Sequence, residues 1–448
     1  MLKQSASIVC FALLFAVLSA SALPQVMHAH FQTLGSASGS SHPIHDYTLP
    51  PDKLQKAHAL YLTGVWLFLA TGLYSLVLAF VYLRRGWVAK LRSWAERLST
   101  RRFLQALVVV PVFVVSLSLF LLPAEIYGQH VERKYGLSIQ GWPSWLRDWA
   151  VALALLALVS TVLAWILYAI IRRSPRRWWL YFWLAFLPIS AFLTFIAPVA
   201  IDPLFNHYEP LAAKDPALVQ ELEKVAERGG LHIPPTRMFA MKASEKLTGS
   251  NAYVTGFGAT RRIVVWDTAI QKLTTPEIAF VFGHEMGHYV LGHILKGFAF
   301  MSAVFLVIFY LGYRLATWLA FRWGTRWDVR GLDDWASLPL FWLVFSLMLF
   351  FSSPALNAFS RHLEHQADQY GLEVVHGLIP DSSQVAAQSF QKLGEEWLEY
   401  PHLNKFVVWW LWDHPPIPDR IRFALSYDSW SAGKSPAFVR RSQATPQP

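Results

Sequence analysis

Two histidines and a glutamate at 284–288 have the residue types and the spacing for metal-dependent chemistry. On a helix, His284 and His288 lie one turn apart on one face, so both imidazoles can bind one ion. Glu285 lies beside that face, within reach of a water held by the ion. The pattern predicts a zinc site in which Glu285 takes a proton from water. Two core histidines would show the same spacing by chance, but the flanking cap and apolar residues favour the metal site.

The residues around this motif predict the helix that carries it. Thr275 suits an N-cap, Pro276 the first helical position and Glu277 the positive end of the helix dipole. We expect the helix to continue to about Lys296. His293 then lies five residues past the second predicted ligand and points away around the helix. We therefore interpret it as a structural histidine.

A third metal ligand must come from another part of the chain. Cys10 is the single cysteine, which excludes a thiolate cluster and an internal disulfide. Glu364 and Asp368 are four residues apart, so on a helix both carboxylates face one side. Such a pair usually marks a solvated face. Beside a two-histidine helix, we interpret Glu364 as the third ligand and Asp368 as the carboxylate behind it that orients a histidine.

The composition indicates a membrane protein. Charged residues are 15% of the 448 residues and hydrophobic residues 54%, with 21 Trp. An ordinary globular protein has about 25% charged residues. These numbers exclude a large soluble protein, and the high hydrophobicity excludes a disordered chain. The net charge of +10 arises from basic residues beside apolar runs, which is the pattern that orients membrane helices, so we expect no nucleic-acid partner.

The apolar runs divide the chain into membrane and polar parts. Six runs approach the roughly 20 residues that cross a bilayer as a helix, at 59–83, 104–123, 150–171, 178–200, 297–318 and 337–358. The predicted order is a signal peptide or first membrane segment (1–22), an N-terminal loop (23–57), four membrane helices (58–200), the first half of a zinc metallopeptidase domain (201–296), two membrane helices (297–358), its second half (359–434) and a disordered tail (435–448).

The predicted fold class is mainly α: a polytopic membrane helix bundle or chamber with a split zinc-metalloprotease domain that contains a small β-sheet. The sheet is expected from short β-like runs at 238–241, 252–255 and 263–266, with a hairpin connection beginning at Gly256. Basic residues concentrate in the connections 84–103 and 172–177. The positive-inside rule places these in the cytoplasm, and it places the zinc domain on the outer, periplasmic side of a cell membrane.

Several motifs together resemble the type I CAAX prenyl proteases, which are integral-membrane zinc metallopeptidases of the gluzincin group. The similarity extends from about residue 50 to 425. It rests on HEMGH at 284–288, SRHLEHQAD at 360–368, SNAYVTG at 250–256, DHPPIPDR at 413–420, LPAEIYGQHVERKYGLSIQ at 122–140 and APVAIDPLFNHYEPL at 197–211.

The resemblance implies roles for individual residues. It implies that His284, His288 and Glu364 bind one zinc ion. Glu285 is then the general base and acid, with an assisting role for Asp368. Asn251 and Ala252 match the strand edge on which the family pairs its substrate. His414 and Arg420 match positions near the family's active site, where they can contact the oxyanion or a substrate carboxylate.

Two features depart from the family. The N-terminal 45 residues do not match it well. The charge pattern also puts the zinc domain outside, whereas the eukaryotic relatives present their activity to the cytosol. The family fold is a ring of membrane helices around a large chamber, closed by the zinc domain.

The resulting hypothesis is a monomeric, membrane-embedded zinc endopeptidase that cleaves near the C-terminus of a peptide or membrane-associated protein, possibly a lipidated one. One rival is a site-2-type intramembrane protease, which takes its third ligand as Asp from a later span, and 337–353 contains no Asp. Another is a non-catalytic quality-control or binding protein that uses the same chamber, but the His-Glu-His set is intact. A transporter usually carries charged residues inside its spans, which are nearly absent here.

Overall fold

The structure is a computed structural model, and it describes residues 43–256, 261–430 and 434–439. The predicted signal segment at 1–22 lies outside the described residues. So do the first part of the predicted N-terminal loop, the hairpin residues 257–260 and the end of the tail.

The first half of the chain is helical. Its helices are α1 (Pro51–Arg85), α2 (Trp87–Leu98), α3 (Arg102–Lys134), α4 (Trp142–Arg173) and α5 (Trp178–Ile196). The first of these begins at Pro51, inside the region predicted as a loop up to residue 57. Proline is favoured in the first turn of a helix, because its missing N–H has no intrahelical partner there.

The second half alternates short elements with two long helices. They are β1 (Tyr208–Pro210), α6 (Leu211–Lys214), α7 (Pro216–Arg228), β2 (Met238–Met241), β3 (Ala252–Thr255), β4 (Arg262–Trp266), α8 (Asp267–Lys272), α9 (Thr275–Val290), α10 (His293–Trp323), α11 (Leu338–Val375), α12 (Ser382–Trp397), α13 (Lys405–Leu411) and α14 (Ile417–Ser426).

Within the described ranges, five helices are long and apolar enough to cross a membrane: α1, α3, α4, α10 and α11. The fourth apolar run, predicted as a span at 178–200, forms a shorter apolar helix. It ends at Ile196, where the backbone changes to a π-helical turn over Ala197–Ile201. The chain is therefore a mainly α, polytopic membrane protein, as the sequence predicts.

The predicted small sheet is present, with strand order β1-β2-β4-β3. The pair β2–β4 is parallel, and the pairs β1–β2 and β3–β4 are antiparallel. Gly256, with φ 88°, begins the connection after β3, in the left-handed region that glycine adopts without a Cβ clash. The order leaves β3 at one edge of the sheet, where an extended peptide can pair with it.

One helix joins the two larger hydrophobic cores of the described residues. The first core lies among the membrane helices, and the N-terminal part of α11 contributes Leu338 to Phe345 to it. The second core lies between the sheet, α7, α9, α12 and α14, and the C-terminal part of α11 contributes Tyr370 to Val375. The residues between these two ends include Glu364 and Asp368, so the predicted ligand lies where the membrane part meets the polar domain.

Glycines allow α9 and α11 to approach closely. A Cβ at Gly371 would lie 3.0 Å from the backbone nitrogen of His284, and a Cβ at Gly283 would lie 3.4 Å from the Cα of Gly371. Gly287, one turn further along α9, faces Tyr370 at 3.0 Å in the same way. Small residues four apart commonly permit such close helix contact in membrane proteins. This contact places the motif of α9 directly against α11.

Helix α9 begins one residue earlier than predicted. Its N-cap is Thr274, not Thr275, and a capping box joins Thr274 to Glu277. The Thr274 N–H donates to the Glu277 carboxylate at 2.7 Å, while the Thr274 side chain accepts from the N3 backbone. Glu277 must stand at N3 for this reciprocal pair, and this places the cap at Thr274.

Helix α9 does not continue to Lys296, and that prediction is wrong. It ends at Val290, and Gly292 adopts the left-handed conformation with φ 67°. Glycine takes this conformation without a Cβ clash, so it reverses the chain between two helices. Helix α10 then begins at His293, with a direction of its own.

The prediction of disorder from Ser435 is also wrong for the part of the tail that the structure describes. The backbone N–H groups of Ala437, Phe438 and Val439 donate to the Glu373 carboxylate at 2.9, 2.7 and 2.9 Å. Glu373 is buried on α11. A buried carboxylate needs such donors, and these three bonds hold the segment against the helix.

We expect Gly371→Ala to destabilise the protein by about 1–3 kcal/mol, because the new Cβ meets backbone atoms that cannot rotate away. Thermal unfolding of the purified protein measures the effect. Gly72→Ala is the matched control, since a Cβ there meets nothing within 4 Å and alanine favours the helix. Equal midpoints for the two variants would contradict the close-packing interpretation.

Candidate metal centre

Three buried side chains from α9 and α11 bring nitrogen and oxygen atoms together. The Nε2 atoms of His284 and His288 are 3.1 Å apart. Oxygens of Glu364 lie 3.3 Å from the His284 Nε2 and 3.5 Å from the His288 Nε2. Bonds of 2.0–2.1 Å in a tetrahedral zinc site give edges of about 3.3 Å between ligand atoms. The three distances match those edges, so these residues fit one zinc ion.

His284 is held from behind by a carboxylate. Its Nδ1 lies 2.8 Å from an oxygen of Asp368, which is itself bound by the Nε and Nη2 of Arg420 at 2.9 and 2.5 Å. Burial alone would lower the pKa of His284, but Asp368 and Glu364 outweigh it and raise that pKa to about 9. The same carboxylates that favour a proton on His284 also favour a metal cation beside its ring.

His288 is held from behind by another histidine. Its Nδ1 lies 2.9 Å from the Nδ1 of His293, whose Nε2 lies 3.1 Å from the Oε1 of Gln366. The expectation that His293 points away around α9 is therefore wrong, because Gly292 ends the helix and turns His293 back. Burial lowers the pKa of His288 well below its usual value.

Glu285 and His414 lie at the same cleft. Burial raises the pKa of Glu285. The Nε2 of His414 lies 3.2 Å from Glu364, and its Nδ1 lies 2.7 Å from Asp413. Burial alone would lower the pKa of His414, but the two carboxylates outweigh it and raise the pKa to about 10. His414 thus carries a proton at neutral pH in this arrangement.

The cleft continues along the edge of the sheet. Ser250, Asn251 and Ala252 line one side of it. Glu396 of α12 holds this edge, because its carboxylate accepts the backbone N–H of Ser250 at 3.1 Å and the hydroxyl at 3.3 Å. The apolar part of the wall comes from Leu273, Ile278, Val281, Phe390 and Leu393.

The structure brings the sequence-predicted site residues together. His284, Glu285, Glu364, His414 and Arg420 line one cleft with Asn251 and Ala252. His288 and Asp368 are buried at its base. Arg420 also forms a paired contact with Asp368, so its guanidinium supports the site as well as lining the cleft.

Sequence reasoning missed Glu399, a buried carboxylate between α12 and α13. Its Oε1 accepts the N–H of Ile417 at 2.7 Å, at the start of the helix that carries Arg420. Its backbone oxygen accepts the hydroxyl of Tyr47 at 2.9 Å. Burial raises the pKa of Glu399 to about 7, against the opposing effects of the Ile417 N–H, Arg420 and His414. A single glutamate beside a helix end has no sequence signal, so only the fold shows its role.

Fold and site together define a multi-pass membrane protein with a buried His-His-Glu metal centre, and comparisons with known proteins agree. The family described as peptidase family M48 matches residues 212–428. The family described as CAAX prenyl protease N-terminal, five membrane helices, matches residues 16–207.

Individual relatives match over most of the chain. An uncharacterized metalloprotease, YhfN, of Bacillus subtilis is 37% identical over 78% of this chain and 79% of its own. A CAAX prenyl protease 1 homolog of Oryza sativa is 28% identical over 84% of this chain and 85% of its own. The crystal structure of S. mikatae Ste24p is 21% identical, covers 94% of this chain and 98% of its own, and superposes with a TM-score of 0.71, which shows the shared fold.

This chain belongs to peptidase family M48, with the N-terminal membrane region of the CAAX prenyl proteases. It is a membrane metalloprotease, and its substrates are peptides or proteins.

We expect Glu399→Gln to stabilise the protein above pH 7 and to change little near pH 5. The unfolded pKa is about 4.5, and the folded pKa is raised to about 7. Stability from the protonated form is therefore complete below pH 4.5 and is lost as the pH rises through 7. Glutamine keeps an acceptor for the Ile417 N–H without the charge. We expect this change to raise the free energy of unfolding by about 1–3 kcal/mol at pH 8.

Thermal midpoints at pH 5 and pH 8 test this expectation, with the exposed Glu227→Gln as the matched control. A lower midpoint for Glu399→Gln at pH 8 would show instead that an ionised Glu399 is stabilised by Arg420 and His414.

Proposed function

We propose that this protein is a zinc metalloendopeptidase that hydrolyses a peptide bond near the C-terminus of a membrane-associated peptide or protein. The observation that carries the proposal is the convergence of His284, His288 and Glu364 at the edge lengths of a tetrahedral zinc site, with Glu285 beside them. When bound, zinc supplies a Lewis acid that polarises a carbonyl and acidifies water.

Glu285 moves the proton in this proposal. It is the motif glutamate, and it lines the cleft beside the predicted ligands. Its carboxylate takes a proton from the attacking water and then delivers it to the leaving amine. Its raised pKa favours this exchange, because a base works best when its pKa lies near the working pH.

His414 stabilises the negative charge that develops on the substrate carbonyl. Burial opposes a charge on its ring, but Asp413 and Glu364 outweigh burial, raise its pKa to about 10 and favour the protonated form. Asp413 accepts from its Nδ1 and leaves the Nε2–H directed into the cleft, 3.2 Å from Glu364. A fixed donor aimed at a developing oxyanion contributes about 3–4 kcal/mol in other hydrolases.

Asp368 and Arg420 support the ligand His284. The carboxylate of Asp368 accepts the Nδ1–H of His284, which leaves the Nε2 lone pair for the metal. Arg420 holds that carboxylate through two bonds and lies 4.3 Å above the ring of Phe390. We therefore infer that the main role of Arg420 is to hold Asp368. It contacts the substrate only through the part of its side chain that lines the cleft.

The substrate pairs with the strand edge at Asn251 and Ala252. Since β3 is an edge strand, main-chain hydrogen bonds can hold an extended peptide whatever its side chains. The apolar wall formed by Leu273, Val281 and Leu393 accepts an apolar side chain of that peptide. Relatives named CAAX prenyl proteases support a lipidated C-terminal substrate for this chain too. One chain supplies every residue named here, so we propose that a monomer in the lipid bilayer is the active unit.

We expect Glu285→Gln to lower kcat by about 100- to 10,000-fold while zinc stays bound, because the amide cannot accept the proton of water. Hydrolysis of a prenylated peptide, together with the zinc content, measures both effects. Glu227→Gln on α7 is the matched control, since that side chain is exposed and is not among the residues that line the cleft. Full activity of Glu285→Gln would end the proposed mechanism.

We propose, from the charge pattern and with α5 as a sixth membrane crossing, that the peptidase domain faces the outside of the cell membrane. Cys10 is the single cysteine, so Cys10→Ser gives a cysteine-free background. In that background we expect Lys224→Cys, exposed on α7, to react with an impermeant maleimide in intact cells or spheroplasts.

Pro175→Cys, between α4 and α5, is the control and should react only after permeabilisation. It keeps all four arginines of that connection. The reverse labelling pattern would place the peptidase domain in the cytoplasm.

A further inference from the structure

The two histidines of the metal centre are supported from behind by different chemistry. Each must keep its Nε2 free of a proton if that atom is to bind a metal. For His284, the carboxylate of Asp368 lies 2.8 Å from its Nδ1 and accepts a hydrogen bond there, so a ring with one proton carries it on Nδ1. For His288 the partner is a second imidazole, which can donate or accept.

The contact between His288 and His293 joins two Nδ1 atoms 2.9 Å apart, so one of them carries the hydrogen. If His293 carried it, His288 would hold its own proton on Nε2, toward the metal centre. If His288 carries it, the Nε2 lone pair faces Glu364 and His284. The tautomer of His293 thus decides whether His288 can be a ligand.

Gln366 sets the tautomer of His293. Its Oε1 lies 3.1 Å from the Nε2 of His293, and an amide oxygen only accepts. His293 therefore donates from Nε2. It is buried, with 2% of its surface exposed. A neutral ring with its hydrogen on Nε2 has a lone pair on Nδ1, which accepts from His288.

We propose that His293 and Gln366 are positioning residues that hold the metal ligand His288 in the tautomer able to bind zinc. Hydrogen bonds run from His288 Nδ1–H to His293 Nδ1, and from His293 Nε2–H to Gln366 Oε1. This inference rests on the proposed zinc function of the same site.

The backbone places both residues for this task. The left-handed Gly292 ends α9 and returns His293 to the face of His288. Gln366 lies on α11, two residues after the ligand Glu364. Helix α11 therefore supplies the third ligand, Glu364. Through Gln366 it also determines which ring nitrogen of the second ligand, His288, carries the hydrogen.

Donor and acceptor variants at residue 366 test the proposal. Gln366→Glu keeps an acceptor, and we expect a zinc affinity within about threefold of wild type. Gln366→Lys offers only donors, which reverses both hydrogen bonds, and His293→Leu removes the acceptor. We expect these two variants to lose about 10- to 100-fold in zinc affinity, the usual effect of removing such a partner.

Zinc affinity is measured by competition with a chelator, and the visible spectrum of Co²⁺ reports the ligand set. The thermal midpoint of the metal-free variants shows whether the fold is kept. If Lys at 366 lowers that midpoint, Gln366→Met, which has neither donor nor acceptor of that strength, replaces it in the comparison with Gln366→Glu.

Wild-type affinity in Gln366→Lys and His293→Leu would overturn the positioning roles, and so would equal losses in Gln366→Glu and Gln366→Lys. Failure of the wild-type chain to bind zinc or Co²⁺ would overturn the proposed cofactor itself. The two failures are therefore distinguishable.

Discussion

The close approach of α9 and α11 is the constraint on which the site depends. Its ligand atoms come from two helices, and a zinc-sized group tolerates only small errors in their separation. Gly283, Gly287 and Gly371 remove the side chains that would hold the helices apart. Because α11 also runs from the membrane core into the peptidase core, the same contact fixes the metal centre relative to the membrane helices.

Charge is the second constraint, because the buried carboxylates of Glu364 and Asp368 lie at this contact and the half-buried Glu285 lies beside them. Carboxylates can be withdrawn from water together only if cations compensate them. Arg420 neutralises Asp368 through a paired contact, and the raised pKa of His414 favours its protonated form beside Glu364. Glu364 also faces the Nε2 atoms of His284 and His288. A divalent cation at these atoms would supply further positive charge, so the charges of the site fit a metal as the distances do.

Much of this arrangement could be predicted from the sequence, because metal ligation imposes residue types and helical spacing. Those rules place His284, His288 and Glu364, and hydropathy predicts the membrane helices. The errors arose at positions where the backbone conformation of a single residue determines whether a helix continues or ends. A glycine inside a helical pattern is compatible with a continuous helix, so the break at Gly292 and the return of His293 were not foreseen. Glu399 and Gln366 act through contacts that only the tertiary fold creates.

The unequal support of the two histidines follows from the same charge balance. Asp368 raises the electron density on His284, but its own charge needs Arg420 behind it. A second carboxylate behind His288 would need a second buried cation. A neutral histidine and an amide achieve the same proton placement without adding charge. The site thus supports one histidine ligand with a charged partner and the other with a neutral partner. The neutral pair avoids burying a further charge where a long apolar helix begins at His293.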